Sequence, residues 1–230
     1  VANELPVATV AALKQLDGAD IANAIEAFDV RLRNDGFMDG TVRTMTPGLP
    51  PAVGYAVTAR IRCSSPPPVG HSYIDRTDWW SYIVNVPAPR FVVVQDIDDH
   101  TGFGAFLGQV HAHVLRALGC VGYATNGAVR DVQKVDELGF PLFASSVAVS
   151  HAFAHVVEFD VPVTVGGLSV ASGDLLFGDD DGVQSLPLAI VDRLPQMVAA
   201  MTRKDDEVIR FCGSRDFSIE GLRQLLRTLG

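Results

Sequence analysis

The chain reads as an α/β protein on two observations. Residues 91–94, 105–118 and 120–124 follow one another as apolar strand, amphipathic helix and apolar strand, the unit from which parallel sheets are built. Amphipathic helices are read at both ends, and between them short strand-like runs are separated by turns carrying Gly and Pro. With 230 residues, 48% of them hydrophobic, there is material for one sizeable core. No internal repeat, low-complexity tract or linker interrupts it. Residues 1–230 are therefore expected as a single domain, with N-terminal helices at 7–28 and C-terminal helices at 187–229 packing on it.

Residues 6–16 set Val10, Leu13 and Leu16 at helical spacing, and a second helix is expected from Asp20, as N-cap, to Phe28. Residues 46–51 and 64–70 are loops by their Pro and Gly content, and 53–63 between them alternates as a strand. A proline-broken strand is expected at 81–86, then the run at 91–94, which ends at Gln95-Asp96. Residues 98–104 form a turn. The helix 105–118 puts Leu107, Val110, Val114, Leu115 and Leu118 on one face and is closed by Gly119. The strand from Cys120 stops at an Asn126-Gly127 turn, since both residues tolerate positive φ. A short helical piece reaches Leu138. Strands are expected at 140–143, 147–149, 156–160, 163–165 and 174–177, then helices at 187–201 and 217–229, the last opened by Ser218 and Glu220.

The formal net charge of -9 and pI near 5.0 exclude a general affinity for nucleic acid or anionic membrane. Three widely spaced cysteines without a C-x-x-C make neither a disulfide framework nor a zinc site, and Cys120, among apolar neighbours, is expected to be a buried, inert thiol. Residues 138–157 carry no Asp, Glu, Lys or Arg. Gly139, Pro141, three serines and two histidines make them buried strand and turn, not a membrane span. The first sixteen residues lack a basic start followed by an apolar core, so a cytoplasmic protein is expected.

Chemistry concentrates at Arg130-Asp131. A cation and an anion just past a buried strand sit where α/β proteins bind ligands. Arg can clamp a carboxylate with two parallel hydrogen bonds, and Asp can hold a hard metal ion. The Gly102-Phe103-Gly104 turn opens the preceding helix, whose free N–H groups could hold the same carboxylate. His111 and His113, two apart on a helix, point apart and cannot share a metal; His111 is expected to be partly buried and hydrogen-bonded. His151 and His155 are read as structural. The acidic segment 173–183 lacks the spacing and terminal Glu of an EF-hand loop, so its aspartates are expected to stabilise turns.

Three blocks together carry a resemblance: Gly122 through Asp131 (G-Y-A-T-N-G-A-V-R-D), Gly139 through Ala144 (G-F-P-L-F-A), and Pro162 through Val170 continuing to Ser172-Gly173-Asp174 and 178–183. In this order the sequence resembles the RraA-like family, from the N-terminal helices to about Glu207. That family groups regulators of ribonuclease E activity with class II pyruvate aldolases that cleave 4-hydroxy-4-methyl-2-oxoglutarate. The resemblance implies a three-layer β/β/α sandwich of the swivelling-domain type, assembled as a homotrimer or dimer of trimers with sites between subunits. It implies that Asp131 is the one direct ligand to Mg²⁺ or Mn²⁺. Arg130 would bind the substrate carboxylate and stabilise the pyruvate enolate, while Gly108 and the amides of Val110 and His111 hold the carboxylate's other edge. Glu207 corresponds to a family carboxylate supplied by the neighbouring subunit.

One position departs from the pattern. Where the aldolases carry an acid after the helix-opening glycine, this chain has Gln109, which can orient a water but cannot take its proton near neutral pH. The leading expectation is a metal-dependent lyase releasing pyruvate from a 2-oxo acid of this kind or from oxaloacetate. The alternative is a catalytically weak regulator of RNA processing that acts by protein interaction. Residues 66–80, rich in aromatics and charges, are expected to line the substrate's far end.

Overall fold

The computed structural model describes residues 4–67 and 76–229. From the N-terminus run α1 (Val7–Leu13), α2 (Gly18–Glu26), β1 (Arg43–Thr44), β2 (Ala52–Arg62) and α3 (Arg76–Ile83). The middle holds β3 (Arg90–Asp96), β4 (Ala105–Leu107), α4 (Gln109–Ala117), β5 (Cys120–Val129), α5 (Val132–Glu137) and β6 (Leu142–Val147). Then come β7 (His155–Phe159), β8 (Val163–Val165), β9 (Leu168–Val170), β10 (Leu175–Asp179) and β11 (Gly182–Ser185). A 3₁₀ turn (Val191–Arg193), α6 (Leu194–Cys212) and α7 (Ile219–Leu229) complete the described chain.

The apolar runs of β2, β3, β5 and β10 are explained by burial on both faces, the condition under which strands lose polar alternation. Val92, Val94, Tyr123 and Phe177 point to one side, where Ile21 and Ile25 of α2, Trp79 and Ile83 of α3, Leu115 of α4 and Leu194 of α6 cover them. Phe91, Val93, Ala124, Phe143 and Leu176 point to the other, against Val163, Val165, Leu168 and Val170 of the β8–β9 hairpin. Helices, a large sheet and a small hairpin thus make three layers, the α/β sandwich expected from the resemblance. Among the described residues the sheet has nine strands, in the order β1-β6-β5-β3-β2-β10-β11, with β4 beside β5 and β7 beside β2. β2, β3, β5 and β6 run parallel, as do β4 and β5, so their carboxyl ends share one edge.

Several elements differ from the sequence reading. Residues 81–86 are not a strand: Trp79 and Ile83, four apart and fully buried, are the inward face of helix α3. The helix expected at 105–118 is two elements. Residues 105–107 pair with β5, Gly108 is extended (φ −139°, ψ −171°), and α4 begins at Gln109. Its inward face is His111, Ala112 and Leu115, whereas Val110 is exposed.

Asn126-Gly127 is not a turn either. β5 runs through it with an irregular register between Thr125 and Ala128, and the Asn126 amide bonds both backbone groups of Asp96 at 2.8 and 2.9 Å. Gly127 is needed for close approach, since a Cβ there would lie 3.1 Å from that of Asp96.

Smaller differences follow the same logic of side-chain contacts. The strands expected at 140–143 and 147–149 merge into β6, which starts at Leu142. Asp17, not Asp20, caps α2, its Oδ1 accepting from Ala19 N at 2.9 Å. The C-terminal helix expected from residue 187 starts at Leu194 and continues to Cys212. As expected, Cys120 is buried, and the aspartates of the acidic segment serve turns. Asp179 accepts from Gly18 N at 2.7 Å and Asp181 N at 3.1 Å, while Asp180 accepts from Gly48 N at 2.9 Å.

Candidate active site

The β4–β5 pairing ends where Arg130 N donates to Leu107 O at 3.0 Å, which fixes both strand ends side by side. The chain then turns at Asp131 itself, at φ 57° and ψ 30°, the left-handed region that Asp enters more readily than most residues. This turn, and not one at Gly127, presents the pair. Asp131 Oδ2 accepts from Gln109 N at 3.1 Å and lies 3.8 Å from Arg130 Nε. Both side chains are about a third exposed, at 38% for Arg130 and 35% for Asp131. Gly108 passes close beneath them: a Cβ there would stand 2.8 Å from Asp131 Oδ2 and 3.0 Å from Arg130 Nε.

Above this floor opens a cavity of about 300 Å³. Of the residues singled out in the sequence, Gly108, Gln109, Val110, His111, Arg130 and Asp131 all line it. Glu207, exposed on α6, does not. The start of α4 points into the same space. Gln109 N is used by Asp131, while the amides of Val110 and His111 have no partner among the described residues. Two free N–H groups at a helix start beside a guanidinium are donors of a kind that can hold a carboxylate. The glycine turn at 102–104 does not open this helix: Gly102 N donates to Asp96 Oδ2 at 2.9 Å, and β4 intervenes.

His111 is buried and fully engaged. Its Nε2 accepts from Trp80 Nε1 at 3.2 Å, so its other nitrogen, Nδ1, carries the proton toward Phe106 O at 3.3 Å. Burial, with help from the nearby Arg76 charge, lowers its pKa to about 4, so the ring stays neutral and holds Trp80 in place. Arg76, Trp80, Phe106 and His151 also line the cavity. Arg76 and Trp80 fall in the segment 66–80 expected to do so, and residues 68–75 of it lie outside the described part. Phe106 was hidden by reading 105–118 as one helix. His151, read as structural, is exposed at the rim, and its Nδ1 lies 2.7 Å from Ala152 O. His155, by contrast, is buried in β7.

Two other groups of ligating side chains exist among the described residues. Cys63, Asp96 and Asp98 are buried together, and Asp17, Asp179 and Asp181 lie at the α2 end. In both, the carboxylates accept backbone N–H groups: Asp98 Oδ2 takes those of Cys63 and Ser64 at 2.7 and 2.8 Å. Burial pushes the Cys63 thiol up to about 12, which makes it a poor nucleophile and an inert neighbour.

Fold and site define a mixed α/β protein with a cavity at the carboxyl end of a parallel strand, where an arginine, an aspartate and an open helix start meet. The chain belongs to the RraA-like family: the family model described as Aldolase/RraA matches residues 19–184. Among curated relatives, the "Putative 4-hydroxy-4-methyl-2-oxoglutarate aldolase" of Halalkalibacterium halodurans is 30% identical over 104 residues, 45% of this chain and 49% of that protein. The match thus spans about half of the relative's length. An uncharacterized protein from Pseudomonas syringae has the same fold, with TM-score 0.75 at 20% identity over 99% of this chain and 97% of that one. RraAS2 of Streptomyces coelicolor, described as an unusual member of the RNase ES inhibitor RraA protein family, gives 0.68 at 21% identity over 91% and 98%. No helix among the described residues is long and apolar enough to cross a membrane.

Proposed function

We propose that the chain is a lyase that splits a 2-oxo acid to pyruvate, of the 4-hydroxy-4-methyl-2-oxoglutarate or oxaloacetate type, with Mg²⁺ or Mn²⁺ as cofactor. The reading rests chiefly on Arg130, Asp131 and the free amides of Val110 and His111 meeting in one cavity. The family membership and the aldolase relative support it.

The donor set fits a hard divalent ion. Asp131 Oδ1 has no partner among the described residues, the side chain reaches the cavity, and space remains for several waters. Such an ion, held by Asp131, supplies charge that lowers the energy of an enolate and the pKa of bound water.

The protein's own groups would then divide the work. Arg130 and the two amides grip the carboxylate of the pyruvyl end and fix its plane. The Arg130 guanidinium also faces the negative charge that grows on the keto oxygen as the C–C bond breaks, and it costs little reorganisation because the Asp131 carboxylate and the Gly108 crossing already position it. Gln109 orients a water without accepting its proton. Glu207 would act from a neighbouring subunit of a homotrimer or dimer of trimers, with residues 1–230 as one RraA-like domain.

The test is pyruvate release, followed with lactate dehydrogenase, from a panel of oxo acids with and without Mg²⁺ or Mn²⁺. Metal-dependent turnover that collapses in Arg130→Ala and Asp131→Ala is the expected result. No turnover by the wild type or by Gln109→Asp ends the lyase reading. In that case the alternative stands, a regulator of RNA processing that acts by protein contact, which Gln109 in place of the family acid favours.

A further inference from the structure

Among the described residues, the charged side chains lining the cavity are Arg130, Asp131 and a second guanidinium, that of Arg76. Arg130 is partly balanced by Asp131 at 3.8 Å, but Arg76 makes no ion pair among the described residues. One Nη2–H of Arg76 donates to Ala154 O at 3.2 Å, and its guanidinium carbon stands 5.3 Å from the Phe106 ring centre. A guanidinium carries five N–H donors, so most of them remain for a ligand, and the bond to Ala154 and the face of the Phe106 ring hold the fork in place. His111, neutral and doubly hydrogen-bonded, offers no counter-charge.

In a chain of net charge -9, the described lining of this cavity therefore carries an excess positive charge even before any metal is added. A ligand with one carboxylate satisfies Arg130 and leaves Arg76 uncompensated. A ligand with two satisfies both. The remaining walls, from Phe106, Trp80, Val110 and Val114, suit a short aliphatic segment between two such ends.

We propose that Arg76 is a specificity-determining residue that binds the second carboxylate of a dicarboxylic 2-oxo acid whose 2-oxo end lies on Arg130 and the start of α4. The inference rests on the lyase site proposed above, but it concerns recognition and not bond cleavage. The sequence reading placed residues 66–80 at the substrate's far end but could not single out Arg76, which lies more than fifty residues before Arg130 and reaches the cavity only through the packing of α3.

The probes are 2-oxoglutarate and 2-oxopentanoate, equal in chain length and different only in the second carboxylate. Both are titrated calorimetrically into the full chain with Mn²⁺ present. The wild type should bind 2-oxoglutarate about tenfold to a hundredfold more tightly, as befits a charge-assisted pair. Arg76→Gln should erase that ratio by weakening 2-oxoglutarate alone, with 2-oxopentanoate held within about twofold and an unchanged melting temperature. Arg76→Lys, which keeps the charge and loses the fork, should restore part of the preference.

Equal weakening of both ligands by Arg76→Gln overturns the assignment, as does a wild type without preference. Binding of neither ligand by the wild type overturns both this inference and the lyase reading. An Arg76-dependent preference without pyruvate-releasing turnover retains the inference and removes only the lyase.

Discussion

Replacing Gly108 by alanine should separate the site from the scaffold that carries it. Gly108 has an extended backbone, φ −139°, which alanine adopts without strain, so only the new Cβ matters. It would stand 2.8 Å from Asp131 Oδ2 and 3.0 Å from both Cγ and Nε of Arg130, where 3.4 Å is ordinary contact. These atoms must therefore retreat by about half an ångström. Both belong to side chains about a third exposed, which can move into the cavity. The stability cost should stay below about 1 kcal/mol, a melting shift of about 2–4 °C at this chain size.

Recognition is less forgiving, because a displacement of about 1 Å at a reacting group can cost about a hundredfold. Half of that distance should lower kcat/KM for pyruvate release, and the affinity for 2-oxoglutarate, by about tenfold. Gly122→Ala is the control. Its Cβ would meet the buried Phe91 ring at 2.9 Å and Ala52 Cβ at 3.1 Å, far from the cavity and with no room to yield. It should lose about 1–3 kcal/mol of stability and leave the affinity of folded molecules unchanged. A Gly108→Ala protein that binds and turns over like the wild type would refute the close crossing as a positioning device.

Three further outcomes follow from particular contacts. Asp131→Asn keeps an oxygen to accept from Gln109 N, so stability should change by less than about 0.5 kcal/mol while Mn²⁺ affinity, read by calorimetry, falls at least about tenfold. His111, with a folded pKa of about 4 against 6.5 for the free residue, stays neutral while the unfolded chain takes up its proton. Its contribution is therefore complete above pH 6.5 and declines as the pH falls toward 4, on the order of 3 kcal/mol in total. Urea melts of the wild type should show that slope, and those of His111→Gln should lack it. Asp17→Ala removes the α2 cap at Ala19 N and should cost about 1 kcal/mol by the same melts, with ligand affinity intact.

The central sheet was legible because its chemistry is local. β3 and β5 contain dense apolar runs, residues 53–63 alternate enough to be read as a strand although β2 proves buried on both faces, and Gly119 marks the end of α4 by its φ of 75°. Errors arose where one residue type serves two purposes. Asn126-Gly127 carries the sequence signature of a turn, yet Asn126 spends its amide on the backbone of Asp96 in the next strand, a contact thirty residues distant. Residues 81–86 look like a strand because Tyr82, Ile83, Val84 and Val86 cluster, but the deciding fact is the four-residue spacing of Trp79 and Ile83 against the core. Tertiary burial overrode local propensity in both places.

For the site, the same distinction separates what a sequence can disclose from what only packing assembles. Arg130 and Asp131 are adjacent, so their joint presence was visible, and the resemblance supplied Gly108 through His111. The reason these two segments meet is the pairing of β4 with β5, which the sequence concealed by running β4 into a helix. That pairing accounts for three features together. It delivers Gln109 N to Asp131, it leaves no room for a Cβ at Gly108 unless Arg130 and Asp131 shift, and it leaves the next two amides of α4 open to the cavity. The left-handed turn at Asp131 belongs to the same arrangement, since an extended residue there would carry the carboxylate away from Gln109. A cation and an anion in sequence come to line one cavity because a three-residue strand holds a helix start against them, and a variant that breaks the β4–β5 pairing should lose that cavity before it loses the sheet.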